Sequence, residues 1–137
     1  MNRFTQKIIV TKSHLDELDH VNNVQYLYWA QEIAKSHWSY LIKNINQNFG
    51  VWVVRHHDIT YKLGAYLGDE IVISTYIKKV KGPISERIVE FHDSKEEKLL
   101  VKVVSKWCYL NDSKTRQVSH IPEFINKIFD PIDSKVK

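Results

Sequence analysis

Asp16, His20, Asn22 and Asn23 stand together just ahead of an apolar run with helical spacing. The first backbone N–H groups of a helix have no partner within the helix, and the helix dipole adds partial positive charge there. A carboxylate beside such a helix start can act as a nucleophile or general base on a carbonyl compound, while the N–H groups stabilise the oxyanion. The same residue types also serve as helix caps and turn residues, so position alone leaves both roles open.

The run that follows predicts one long helix. Apolar residues recur at positions 27, 30, 33–34, 37–38 and 41–42, which is helical spacing over about 18 residues. Tyr28, Trp29 and Tyr40 extend the apolar surface around the helix, which favours burial on several sides. The segment Asn44–Gly50 carries asparagines and a glycine, which end the helix.

Runs of β-branched and aromatic residues predict strands on both sides of this helix. One short strand precedes the motif at Lys7–Lys12, and four follow at Val51–Lys62, Glu70–Val80, Ser85–His92 and Leu99–Leu110. Tight turns between the later strands require antiparallel pairing, so the helix must pack against one face of an antiparallel sheet. With a short C-terminal helix at 121–129, residues 1–137 are predicted to form a single α+β domain.

The composition narrows the classes of function. The chain has 137 residues, 43% of them hydrophobic, and a net charge of +4 without a basic stripe, which argues against nucleic-acid binding. No segment approaches the roughly 20 apolar residues that a membrane span needs, and the N-terminus lacks a signal-peptide core. Cys108 is the single cysteine and is predicted to lie in the core. We therefore expect a cytoplasmic protein with no internal disulfide, no nucleic-acid partner and no membrane span.

The motif Asp16-x-x-x-His20-Val21-Asn22-Asn23-x-x-Tyr26-Leu27 resembles the signature of hotdog-fold acyl-CoA thioesterases of the 4-hydroxybenzoyl-CoA thioesterase family. Glu32-Ile33-Ala34 in the helix and Gly68-Asp69 before a strand resemble further features of that family. The order of elements extends the resemblance over residues 5–112. Two positions depart from the pattern, since Asp19 replaces a glycine and His14 a common second aspartate. Glycine adopts positive φ more readily than aspartate, although aspartate is among the better other residues there.

This resemblance implies an α+β hotdog fold, in which an antiparallel sheet wraps around one long central helix. It implies hydrolysis of an acyl-CoA thioester to free acid and CoA, with Asp16 as nucleophile or general base. The N–H groups of the helix start would polarise the thioester carbonyl. No metal and no cofactor is expected, because coenzyme A belongs to the substrate.

The other motif residues receive lesser roles from the resemblance. His20, Asn22, Asn23 and Tyr26 would support the loop or orient the substrate, and core packing is the first expectation for Tyr26. Asp19 and Glu32 are less favoured carboxylates. Glu32 falls in the middle of the predicted buried helix, where an unpaired charge is costly.

The resemblance also implies an assembly, a homodimer or homotetramer in which two domains pair edge to edge. Such pairing covers a sheet edge that a lone domain leaves exposed. Acyl-CoA would lie at the subunit boundary, with its phosphates near basic residues. The available cations are Arg55, Lys62, Lys78, Lys79, Lys81 and Arg87.

Two other functions stay open at this point. One is a hotdog dimer that binds acyl-CoA or acyl carrier protein without turning it over, and the other is an enoyl-thioester hydratase on the same fold. Serine-hydrolase, phosphate-loop and dinucleotide motifs are absent from the sequence. The sequence does not determine whether the carrier is coenzyme A or acyl carrier protein, whether the acyl group is aromatic or aliphatic, or how long the acyl chain is.

Overall fold

The computed structural model describes residues 2–135, which form a five-stranded antiparallel sheet with one long helix against it. The elements in chain order are β1 (Phe4–Ile9), α1 (Asn23–Ile42), β2 (Val51–Tyr61), β3 (Glu70–Lys81), β4 (Ile84–Asp93), β5 (Leu99–Leu110) and α2 (Glu123–Phe129). The strands lie in the order β1-β3-β4-β5-β2, and every neighbouring pair is antiparallel. The predicted α+β class is confirmed.

The bounds of most elements agree with the prediction to within a few residues, and β1 differs most. The strand predicted at Lys7–Lys12 lies at Phe4–Ile9, where it pairs with β3. It stops early because Lys12–His14 forms a turn of 3-10 helix. The Thr11 N–H donates to Nδ1 of His14 at 3.0 Å, which closes that turn.

Alternation along the strands builds the core on one face of the sheet. Ile71, Ile73, Thr75 and Ile77 of β3, predicted to share a face, are all buried. The buried residues form two apolar clusters, one near the N-terminal half of α1 and one near its C-terminal end and α2. Cys108 is buried, as predicted.

Helix α1 buries one side rather than most of its circumference. Its buried residues are Tyr26, Trp29, Ala30, Ile33, Ala34 and His37. Tyr28 and Tyr40 are 59% and 54% exposed, so the expectation of a helix buried on several sides is wrong for the single chain. One sheet covers one face of a helix, and the described chain places nothing over the other. Glu32 lies on that open side and pairs with Lys35 at 3.6 Å, so it carries no buried charge.

Strand β2 lies at an edge of the sheet and is 11 residues long. Its exposed side chains include Val51, Val53 and Tyr61. A long apolar edge strand is a surface that another strand can pair with. Among residues 2–135, no helix has the length and apolar character required to cross a bilayer.

Candidate active site

The loop between β1 and α1 is held by backbone hydrogen bonds. The Asp16 N–H donates to the His20 carbonyl at 3.0 Å, and the Asp19 N–H donates back to the Asp16 carbonyl at 3.0 Å. The Val21 N–H donates to the Ala65 carbonyl at 2.9 Å, which ties this loop to the connection between β2 and β3. The loop is therefore a fixed platform beside the helix start.

The two oxygens of the Asp16 carboxylate have different partners. Oδ1 accepts a hydrogen bond from the Leu18 N–H at 2.9 Å, and this bond holds the turn. Oδ2 lies 3.4 Å from Nδ1 of His20. The Asp16 side chain is 19% exposed, so solvent or a small molecule can reach it. The structure thus brings together two of the residues that the motif singled out.

Asn22 and Asn23 shape the start of α1. Asn22 is the N-cap, and its side chain accepts from the Val24 N–H at 2.9 Å, as capping chemistry predicts. The Asn23 carbonyl accepts from the Tyr61 hydroxyl at 3.2 Å. No described residue accepts a hydrogen bond from the Asn23 N–H. That N–H is therefore available to a substrate oxygen at the positive end of the helix.

Asp19 has a φ of +63°, in the left-handed region. The backbone at this position needs the conformation that glycine adopts freely, which accounts for the glycine in the pattern that the motif resembles. The Asp19 side chain is exposed and lines the same cavity as Asp16.

Two open cavities meet at Tyr66. One, of about 510 Å³, is lined by Asp16, Asp19 and Lys12 among others. The second, of about 350 Å³, is lined by His20 and the helix start, and Tyr66 borders both. The Tyr66 N–H donates to the Asp69 carboxylate at 2.9 Å, so the Gly68-Asp69 turn holds the backbone of Tyr66.

Tyr26 is both a core residue and part of the wall of the second cavity. Its ring is 2% exposed and lies edge-on to Phe91, with 5.1 Å between ring centroids. Its hydroxyl has no hydrogen-bond partner among the described residues. Burial first, and then the nearby Tyr61, Asp69 and Tyr66, raise the pKa of Tyr26 to about 12.

Two residues that the sequence did not single out line the cavity at the helix start, and neither Glu32 nor Arg87 lines it. Tyr61 and Tyr66 border the cavity at the helix start, but in the sequence they read only as strand and connection residues. Glu32 is on the exposed face of α1, away from the core. Arg87, one of the cations considered for the phosphates of coenzyme A, is buried, at 4% exposure. Among residues 2–135, no group of three His, Cys, Asp or Glu side chains is placed to hold a metal ion.

Comparison with known proteins identifies the family of this chain. Residues 1–129 match the model of the acyl-ACP thioesterase N-terminal domain. No curated protein sequence matches the chain. Among solved structures, a predicted thioesterase from Bacillus stearothermophilus has a TM-score of 0.81 at 19% identity, over 94% of this chain and 95% of that one.

Two further solved structures share the fold. A 1,4-dihydroxy-2-naphthoyl-CoA thioesterase from Synechocystis has a TM-score of 0.77 at 17% identity, over 99% of this chain and 100% of that one. The 12:0-ACP thioesterase from Umbellularia californica has a TM-score of 0.78 at 16% identity, over 98% of this chain and 58% of that one. These likenesses confirm the predicted hotdog fold. Because the family model covers nearly the whole chain, the protein belongs to the acyl-ACP thioesterase family.

Proposed function

We propose that this protein hydrolyses an acyl thioester to a carboxylic acid and a thiol, with Asp16 as the catalytic carboxylate. The supporting observation is the position of Asp16 in the loop directly before α1, whose Asn23 N–H has no acceptor among residues 2–135. A thioester carbonyl bound near Tyr66 would have the carboxylate on one side and the helix start on the other. Membership of a thioesterase family supports the same reaction.

Two routes use the same groups. As general base, Asp16 takes a proton from water, the water oxygen attacks the thioester carbon, and the C–S bond breaks as sulfur takes up the proton. As nucleophile, Asp16 forms a mixed anhydride as the C–S bond breaks and the thiolate leaves, and water then cleaves that anhydride to the free acid and the Asp16 carboxylate, with a proton left for the thiolate. In both routes the Asn23 N–H stabilises negative charge on the carbonyl oxygen. His20, with Nδ1 at 3.4 Å from Oδ2 of Asp16, positions the carboxylate.

The thiol carrier is proposed to be coenzyme A, with acyl carrier protein as the second candidate. Lys12 and Lys62 line the two cavities on either side of Tyr66, so cations stand where an anionic carrier would approach. A long-range attraction of this kind favours the phosphates of coenzyme A and equally an acidic carrier protein. The family model is named for the acyl-ACP enzymes, so both carriers belong in the test.

The active unit is proposed to be a homodimer or homotetramer, with two copies paired along β2. Support comes from the length of this edge strand and its exposed valines, Val51 and Val53. A second sheet edge would satisfy the open backbone groups of β2. The exposed face of α1, with Tyr28, would then lie near the partner chain.

A thiol-release assay tests the proposal directly. The wild-type chain and the Asp16→Asn variant are compared on acyl-CoA and acyl-carrier-protein substrates of several chain lengths, with aromatic acyl groups included. Asparagine keeps an Oδ1 that can accept from the Leu18 N–H, so the turn should survive the change. We expect Asp16→Asn to lower kcat/KM on the best substrate by about 100-fold or more. The matched control is Glu17→Gln, which removes a neighbouring exposed carboxylate and should leave turnover unchanged.

The outcomes separate the rival functions. Turnover by a folded Asp16→Asn protein close to that of wild type would refute the role of Asp16. Thermal stabilisation by acyl-CoA without thiol release would identify a binding protein instead. Water addition to an enoyl-CoA with an intact thioester would identify a hydratase.

A further inference from the structure

Arg87 is a buried cation at the other end of α1 from the proposed active site. It lies on the helix-facing side of β4 and is 4% exposed. Its Nη1 donates to Nδ1 of His37 at 2.9 Å and to Oγ1 of Thr75 at 3.0 Å. Among the described residues, no carboxylate lies within ion-pair distance of this guanidinium.

Both partners of Arg87 are neutral. Burial first, and then the charge of Arg87, lower the pKa of His37 to about 3, so His37 is neutral at neutral pH, and its Nδ1 accepts the hydrogen bond that Arg87 donates. Burial lowers the pKa of Arg87 to about 9, so the guanidinium remains charged. An isolated charge away from water is costly unless it is paired. Hydrogen bonds to two neutral groups leave the positive charge of Arg87 without compensation.

Arg87 lines a cavity of about 280 Å³ whose wall is rich in aromatic side chains. The aromatic wall residues are Trp38, Phe49, Trp52, Trp107 and Phe129. Ser85, one pleat away from Arg87 on β4, contributes a hydroxyl to the same wall. The indole N–H of Trp52 is buried and has no acceptor among residues 2–135. The cavity therefore combines one cation without a carboxylate partner, one hydroxyl and an apolar body.

The cavity is separate from the site at Asp16. Ala34 in its wall lies 11 residues beyond Asn23 along α1, which corresponds to about 16 Å at the usual helical rise. The buried side chains of Trp29, Ile33 and Phe91 fill the core between the two regions. An argument about this cavity therefore does not depend on the proposed hydrolysis.

We propose that this cavity binds a small hydrophobic monocarboxylate, with its carboxylate on Arg87 and its apolar part against the tryptophans. The planar guanidinium matches a carboxylate in a two-bond geometry. A phosphate dianion would call for a second cation, and Lys35, the other basic wall residue, is largely exposed and paired with Glu32. At about 30 Å³ for each water, a cavity of 280 Å³ has room for roughly nine or ten non-hydrogen atoms. Phenylacetate and octanoate have this size. Both are hydrophobic monocarboxylates, and they differ in that the apolar part is an aromatic ring in one and an aliphatic chain in the other.

Tryptophan fluorescence reports on this cavity, because three of the four tryptophans line it. The full chain is titrated with phenylacetate, octanoate, the neutral analogues 2-phenylethanol and 1-octanol, and inorganic phosphate. We expect a saturable change with at least one carboxylate, at least ten-fold tighter than with its alcohol or with phosphate. The ring and chain probes then show which apolar body the aromatic wall prefers.

Three variants locate the binding. Arg87→Leu should weaken carboxylate binding at least ten-fold, whereas Lys81→Gln, which removes an exposed cation, should not. Ala34→Leu keeps Arg87 and fills the cavity, so it should weaken binding of both carboxylates; it tests the proposal even if Arg87→Leu does not fold. Absence of saturable binding to both carboxylates overturns the proposal, as does equal affinity for the alcohols or phosphate, or unchanged binding by Arg87→Leu. The assay contains no thioester, so its result is independent of the result for hydrolysis.

Discussion

Replacing Tyr26 by phenylalanine should make the fold more stable. The Tyr26 hydroxyl is buried with no hydrogen-bond partner among the described residues, whereas the ring packs on Phe91 and Trp29 through contacts that phenylalanine keeps. A hydroxyl buried without a partner costs about 1–3 kcal/mol in the free energy of unfolding. Its removal should return that amount, which is a rise of roughly 3–10 °C in Tm for a chain of this length.

Tyr109→Phe is the matched control, because it removes a buried hydroxyl that does have a partner. The Tyr109 hydroxyl accepts a hydrogen bond from the buried N–H of Gly50 at 2.6 Å. Its loss leaves that N–H unpaired, so the free energy of unfolding should fall by about 1–3 kcal/mol. The two variants delete the same atom from the same residue type and should shift stability in opposite directions.

Urea unfolding and calorimetry at neutral pH measure both shifts. A second measurement uses pH, because the pKa of Tyr26 is raised to about 12 from an unfolded value of 10.0. A raised pKa gives stability that is present below pH 10 and is lost as the pH rises toward 12, and Tyr26→Phe should lack that loss. A less stable Tyr26→Phe protein would refute the reasoning, since it would mean that the hydroxyl has a partner. Turnover should stay within a few-fold of wild type, because Asp16 and the helix start are unchanged.

Three further outcomes follow from the described contacts. The pKa of His37 is lowered from 6.5 to about 3, so its contribution to the free energy of unfolding is present above pH 6.5 and is lost as the pH falls toward 3. The loss is up to about 1.4 kcal/mol per pH unit. The free energy of unfolding of His37→Asn, measured against pH, should therefore fall less steeply in acid than that of the wild type. Because Asp19 has a φ of +63°, urea unfolding should find Asp19→Gly about 1 kcal/mol more stable than Asp19→Ala, and equal stabilities would contradict a strained turn. Val53→Lys places a charge on the exposed edge strand and should lower the mass measured by light scattering to that of one chain, whereas an unchanged oligomer would exclude pairing through this edge.

The fold was predictable because its signals are local and agree with one another. Alternation along β3 predicted the buried face that includes Ile71 and Ile73, and the turn at Gly82 predicted the antiparallel pairing of β3 with β4. The exposure of Tyr28 was not predictable from helical spacing, because apolar residues occur both on surfaces buried within one chain and on surfaces that another molecule covers. A single chain covers only one side of α1, so an aromatic residue on the open side looks the same in sequence as a core residue.

The same distinction between local and long-range signals applies to the candidate sites. Asp16, His20 and the helix start lie within one short segment, so the sequence alone predicted that they stand close together, whereas the 3.4 Å contact between Asp16 and His20 comes from the structure. His37 and Arg87 are 50 residues apart, and nothing local to either predicts their contact. In the helical pattern His37 fills an apolar position, and in the strand Arg87 reads as a surface cation. Only the packing of α1 on β4 shows that the histidine is neutral, that the arginine is buried beside it, and that its charge faces a cavity. The residues that point to the proposed second ligand site, His37 and Arg87, are therefore those whose sequence context predicts the opposite of the environment that the structure gives them.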